Sequence, residues 1–201
     1  RPGACYLDMP DDIIQGECDL ADITQVERVP EPPKMIAPTE NIEAALDVLE
    51  SAERPLVLVG KGMAWAHAED EVRAFIERTQ LPFVRSPMGK GVVPDDHPLA
   101  ASAARTLALQ QADVVFLMGA RFNWIFHFGL PPRFSPDVKV IQLDISPEEI
   151  GHNKPSEVAL VGDGKAIMSQ MNKALEGRQW FYPKDTPWRT ALAVSYTHLT
   201  L

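Results

Sequence analysis

Cysteine is scarce: Cys5 and Cys18 are the only two in 201 residues. Two thiols at that density do not make a disulfide framework, and they read as unpaired thiols of a reducing, intracellular compartment. No CxxC and no His/Cys cluster stands at zinc spacing, so no metal ligand is expected in the chain. Positive charge is short as well. Nineteen Lys and Arg face 28 Asp and Glu, giving a net charge of −9 and a pI near 5.0. Such a surface repels nucleic acid at long range, but it leaves room for a small anionic ligand held by a local cationic patch. Long hydrophobic runs are missing: none approaches the ~20 residues that span a bilayer, so no membrane span is expected. No signal peptide is visible, and residue 1 is Arg rather than Met, so the native start is expected to lie upstream. The five histidines, His67, His97, His127, His152 and His198, are scattered without a Ser/Asp or Cys partner that would suggest a triad, so no catalytic residue is assigned. His127 sits among Trp124, Phe126 and Phe128 and is expected to be a packed side chain, in a loop read as core or interface.

What is present is an ordinary globular balance, 45% hydrophobic and 23% charged. The organising stretch is Ala112 to Asp144. Two short β-branched runs in it, Val114–Met118 and Val138–Leu143, suit strands covered on both faces, as in a parallel sheet. Around them, strands and helices alternate. Thr39 is expected to cap a helix with Ile42, Ala45, Leu46 and Leu49 on its apolar stripe, ended by Pro55. Leu56–Val59 is a strand, followed by the turn Gly60-Lys61-Gly62 and a helix over Ala66–Thr79. Pro82–Arg85 is a strand, Ser86–Pro98 a loop, and Ala100–Gln111 a helix. Pro147 opens a short helix, Val158–Val161 is the last strand and Gly164–Leu175 the last helix. The fold class is therefore α/β, a doubly wound, mostly parallel sheet flanked by helices, Rossmann-like in layout. Ahead of it, Ala4–Asp8 reads as a short strand with no local partner, and residues 11–38 as a Pro-rich linker. The domain proper is residues 39–177. Residues 178–193 read as a second linker, and the uncharged tail 194–201 as non-native sequence.

Chemistry is expected at the carboxyl ends of these strands, where open α/β sheets bind ligands. Lys61 follows the first strand, Arg85 ends the second, Arg121 follows the third and Asp144 ends the fourth. Cations meet phosphates, Arg bidentately, and a carboxylate accepts from ribose hydroxyls. Each alone is a solvated strand-end charge; together they suit a nucleotide. A dinucleotide fingerprint is disfavoured, because Trp65 stands where its third glycine belongs and the second strand ends in Arg85 rather than an acid. Gly162-Asp163-Gly164 resembles the start of a thiamine-diphosphate metal motif but lacks the following Asn pair. Asp163 is therefore expected to serve a strand-to-helix turn.

Four stretches are recognisable: LVGKGMAWAHAEDEV, PMGKGVVPDDHP, GARFNWIFHFGLPPRF and VIQLDI. They resemble the central domain of 2-hydroxyacyl-CoA lyases, a thiamine-diphosphate enzyme family close to the oxalyl-CoA decarboxylases, with HFGLPPRF favouring the lyases. RPGACYLDMP, residues 1–10, looks like the end of a truncated pyrimidine-binding domain. The resemblance implies a homotetrameric parent of three α/β domains using thiamine diphosphate and Mg²⁺. It implies cleavage of 2-hydroxyacyl-CoA to formyl-CoA and an aldehyde one carbon shorter, in fatty-acid α-oxidation, peroxisomal in an animal and cytoplasmic in a bacterium. It also implies ADP contacts at Lys61, Arg121, Asp144, Ile145 and Gly164, and an approach of the CoA thioester substrate at Arg105 and Thr106. Gly164 offers no side chain where the decarboxylases have an apolar one. The residues that activate thiazolium and bind diphosphate fall in domains outside this stretch, so a fragment inactive alone is expected. An oxalyl-CoA decarboxylase fragment and a non-catalytic nucleotide-binding or interaction module are the alternatives.

Overall fold

A computed structural model describes residues 3–197. The chain divides into two units, residues 1–33 and residues 34–201. The first carries one turn of helix, α1 (Asp11–Ile14), and a single 3₁₀ turn at Leu20–Asp22, with every described residue exposed. The strand expected at Ala4–Asp8 does not form. A strand needs a ladder to satisfy its N–H and C=O groups, and this unit supplies none.

The second unit begins with α2 (Thr39–Glu50), which buries Ile42, Ala45, Leu46 and Leu49 as the stripe predicts. Thr39 is its first helical residue rather than its cap; Pro38 holds the cap position and no side chain caps the helix. β1 (Pro55–Val59) is buried throughout and leads directly into α3 (Lys61–Trp65). The helix expected over Ala66–Thr79 is only its second part, α4 (Glu69–Thr79). His67, with φ +50°, turns the chain between α3 and α4. β2 (Phe83–Arg85) and a 3₁₀ turn at Pro87–Gly89 follow.

α5 spans Arg105–Gln111, not the expected Ala100–Gln111. Residues before it are drawn to the sheet instead. The Phe83 N–H donates to Leu99 O (3.0 Å) and the Ala101 N–H to Phe83 O (2.8 Å), extending the β2 edge by a bridge. Tertiary pairing here overrides the helix preference of an alanine-rich segment. β3 (Val114–Met118), β4 (Lys139–Asp144) and β5 (Val158–Val161) complete the sheet, and α6 (Gly164–Glu176) follows.

The five strands are all parallel, in the order β2-β1-β3-β4-β5. The chain leaves β1 in one direction for β2 and returns past it to β3, so right-handed crossovers put helices on both faces. α6 packs on both α4 and α2. Arg178, just past α6, ties that helix to α2 through Asp47 (2.7 Å), Glu50 (2.8 Å) and Glu43. Edge-to-face contact of Phe75 and Phe116, 5.9 Å between centroids, joins α4 to the sheet.

Beyond Gly177, where periodicity fades, the structure has a further helix, α7 (Pro187–Thr197), which packs with α5. Trp188 and Leu192 are buried, Trp188 Nε1 donates to Pro55 O (3.0 Å), and Tyr182 Oη donates to Glu53 O (2.6 Å). The stretch read as a linker thus closes the amino edge of β1. Residues 1, 2 and 198–201, including His198 and much of the suspected non-native tail, lie outside the described residues. Among the described residues no helix is long and apolar enough to cross a membrane.

Candidate functional site

The strand order puts the switch point between β1 and β3, the place where open α/β sheets form their ligand crevice. Glycine backbone lines it. Gly60, after β1, lies so close to the turn after β3 that a Cβ on it would stand 2.2 Å from Gly119 O. Gly119 itself has φ +55°, in the left-handed region.

Around that point the expected site residues fall as follows. Lys61 is the first residue of α3; it is exposed, and its ammonium has no ion-pair partner among the described residues. Asp144 is the last residue of β4, and its Oδ1 accepts from the Ser146 N–H at 2.9 Å. Ile145 beside it is exposed. Arg121 lies just past β3 and pairs with Glu149, Nη1 to Oε1 at 2.9 Å, in a turn that follows β4. Lys61, Arg121 and Asp144 therefore share one edge, at the carboxyl ends of three adjacent strands.

Two other expected residues are otherwise engaged. Arg85 is committed to Asp95 (Nε to Oδ1, 2.8 Å) and to the Ser102 hydroxyl (2.8 Å), so it is neutralised within the β2 loop. Gly164 is buried at the start of α6, where a Cβ would meet the Met63 methyl at 2.5 Å; it seats α6 against α3.

Arg105 opens α5. Its Nη2 donates to Ile125 O (2.7 Å) and its guanidinium covers the Phe126 ring at 4.9 Å, while burial lowers its pKa. Thr106 is exposed beside it. Arg105 thus anchors the aromatic loop after β3. Phe126 there is core, but Trp124 is 73% exposed. His127 is not packed as expected: it is exposed, with φ +48°. Arg105→Ala is expected to cost about 2 kcal/mol, since it leaves the Ile125 carbonyl without its donor and uncovers Phe126; urea unfolding of the purified chain measures it.

The Gly162-Asp163-Gly164 turn behaves as predicted. Asp163 Oδ1 accepts from the Ala166 N–H (2.9 Å) and caps α6, and its other oxygen faces Lys34 Nζ at 3.7 Å. Asn172 donates to Glu71 O. Among the described residues no group of three His, Cys, Asp or Glu could hold a metal ion. These residues do not fit a Mg²⁺–diphosphate group.

Sequence reasoning missed Glu149 and the residue that places it, Gln142. A lone amide inside the apolar run VIQLD was the available signal, since a polar side chain in a doubly covered strand must find partners.

The chain is 47% identical over 188 residues to 2-hydroxyacyl-CoA lyase 1 of Homo sapiens, covering 94% of this chain and 32% of that protein. It is 43% identical over 201 residues to 2-hydroxyacyl-CoA lyase of Oryza sativa subsp. japonica (96% and 35%). It is 39% identical over 196 residues to oxalyl-CoA decarboxylase of Escherichia coli (strain K12) (96% and 34%). The chain spans about a third of the length of these relatives. The family described as thiamine pyrophosphate enzyme, central domain, matches residues 42–171, which run from the first turn of α2 through most of α6. With the sheet and its helices falling inside that match, the chain belongs to the thiamine pyrophosphate enzyme family and is of its central-domain type.

Proposed function

We propose that this chain is the middle of a thiamine-diphosphate- and Mg²⁺-dependent lyase that cleaves 2-hydroxyacyl-CoA to formyl-CoA and an aldehyde shortened by one carbon. Its own task is to hold an ADP- or CoA-type nucleotide at the carboxyl edge of the sheet. The observation that carries the second statement is the edge itself: a Lys61 ammonium with no ion-pair partner among the described residues, the Arg121 guanidinium and the Asp144 carboxylate at the ends of adjacent strands. Cations there meet phosphate oxygens and the carboxylate meets ribose hydroxyls, while Ile145 offers the base an apolar contact. Arg105 and Thr106, at the start of α5, are the proposed approach of the CoA thioester.

Higher identity to the lyases than to the decarboxylase supports the choice of reaction. On this reading the parent is a homotetramer acting in fatty-acid α-oxidation, in the peroxisome of an animal or the cytoplasm of a bacterium. The thiazolium cofactor and its metal are held by other parts of the parent, because Asp163 here is spent on capping α6. The fragment by itself is inactive. Assay of the parent with 2-hydroxyacyl-CoA and with oxalyl-CoA separates lyase from decarboxylase; turnover of neither would favour a non-catalytic module.

Calorimetry tests the nucleotide site. ADP is expected to bind the chain weakly, and Lys61→Ala or Arg121→Ala to weaken it by about tenfold or more, the scale of a lost charge-assisted contact. Thiamine diphosphate, titrated in parallel, is expected to give no heat beyond what its diphosphate alone gives. Equal ADP affinity in all three chains would remove the site assignment.

A further inference from the structure

Arg121 is not idle in the free chain, and its partner is placed with some care. Gln142, 1% exposed in the middle of β4, spends both ends of its amide on one loop: Nε2 donates to Glu149 O (2.7 Å) and Oε1 accepts from the Gly151 N–H (3.0 Å). Asn153 Nδ2 donates to Phe122 O (2.8 Å), tying the same loop to the turn after β3. An apolar residue would pack in β4 without needing partners, so a fully paired amide there specifies where the loop lies. The outcome is a Glu149 carboxylate, 17% exposed, at 2.9 Å from an Arg121 that is 41% exposed. Beside the pair is a cavity of about 250 Å³ whose lining includes Asn123, Phe128 and His152.

We propose that Glu149 sets how tightly this edge takes a phosphate: it is the counter-ion of Arg121 in the free chain and must yield the guanidinium when an anionic ligand arrives. The inference rests on the nucleotide reading above. Glu149 occupies one Nη1 donor of the Arg121 fork, so an incoming phosphate meets both a used donor and a like charge within a few ångströms. Binding is therefore coupled to opening of the Arg121–Glu149 pair, and the differential interaction sets the penalty. Uncharged ligands that do not need Arg121 escape it.

The test is calorimetry on the chain with ADP, inorganic pyrophosphate and adenosine. Glu149→Gln keeps the shape and removes the charge; Glu149→Ala reaches the same end by truncation should the first fold poorly. ADP and pyrophosphate are expected to bind about fivefold or more tightly to either variant, within the usual range of coupling between sites, while adenosine is unchanged. In an Arg121→Ala background the gain should vanish. Unchanged or weaker ADP binding to the Glu149 variants, with wild-type binding intact and dependent on Lys61, overturns this inference and leaves the nucleotide site standing. No ADP binding to wild type or to any variant overturns both.

Discussion

Trp188→Ala is expected to lower the stability of the second unit by about 3–5 kcal/mol, the usual loss for a fully packed tryptophan. Trp188 is 3% exposed, and its indole N–H is the donor to Pro55 O. Truncation opens a cavity against β1 and leaves that carbonyl without its donor. The surrounding contacts cannot make up the loss: Tyr182 holds Glu53 O, and Arg189 Nη1 holds Gln80 O at 2.8 Å, each with its own carbonyl. Urea unfolding followed by circular dichroism measures the effect, with Trp124→Ala as the control. Trp124 is 73% exposed, and its removal should change stability by no more than about 0.5 kcal/mol. Similar midpoints for the two variants would mean that α7 does not hold the edge of β1 in solution.

Gly60→Ala is expected to cost about 3 kcal/mol and to abolish nucleotide binding together with it. Backbone conformation is not the reason. Gly60 has φ −104° and ψ 175°, which any residue adopts. The reason is distance: a Cβ there would stand 2.2 Å from Gly119 O and 2.5 Å from the Ala120 Cβ. Neither neighbour is a flexible side-chain end, so β1 and β3 would have to part at their carboxyl ends, where Lys61 and Arg121 are held. Gly91→Ala separates the two kinds of glycine. Gly91 has φ +93° but nothing within 4 Å of its Cβ position, so the strain of that φ is the only penalty, about 1 kcal/mol. Thermal unfolding of the two variants, with ADP calorimetry, checks the contrast; equal losses would show that the switch point tolerates a side chain.

Much of the layout is legible in the sequence. The runs Val114–Met118 and Val158–Val161 are strands with the predicted bounds: β3 is covered on both faces and must be apolar throughout, while β5, at the edge of the sheet, buries alternate residues. The stripe of α2 and the strand-to-helix turn at Asp163 are readable for the same local reason; that Asp163 caps α6 is seen only in the structure. The positions of Lys61, Arg121 and Asp144 at strand ends followed from strand bounds alone.

Other features were not local. Residues 100–104 look helical, yet Ala101 is bound to the β2 edge. Arg85 looks as available as Lys61, but Asp95, ten residues further on, folds back to claim it. Arg105 looks like a surface cation and is instead half-buried over Phe126.

The sequence alone determined the kind of sheet and which charges terminate its strands, since both depend on residue type and spacing within about ten positions. Which of those charges remain free for a ligand was decided only in three dimensions. Counter-ions such as Glu149 and Asp95 arrive from separate loops, and a cation's availability depends on what the fold sets beside it rather than on its own place in the chain.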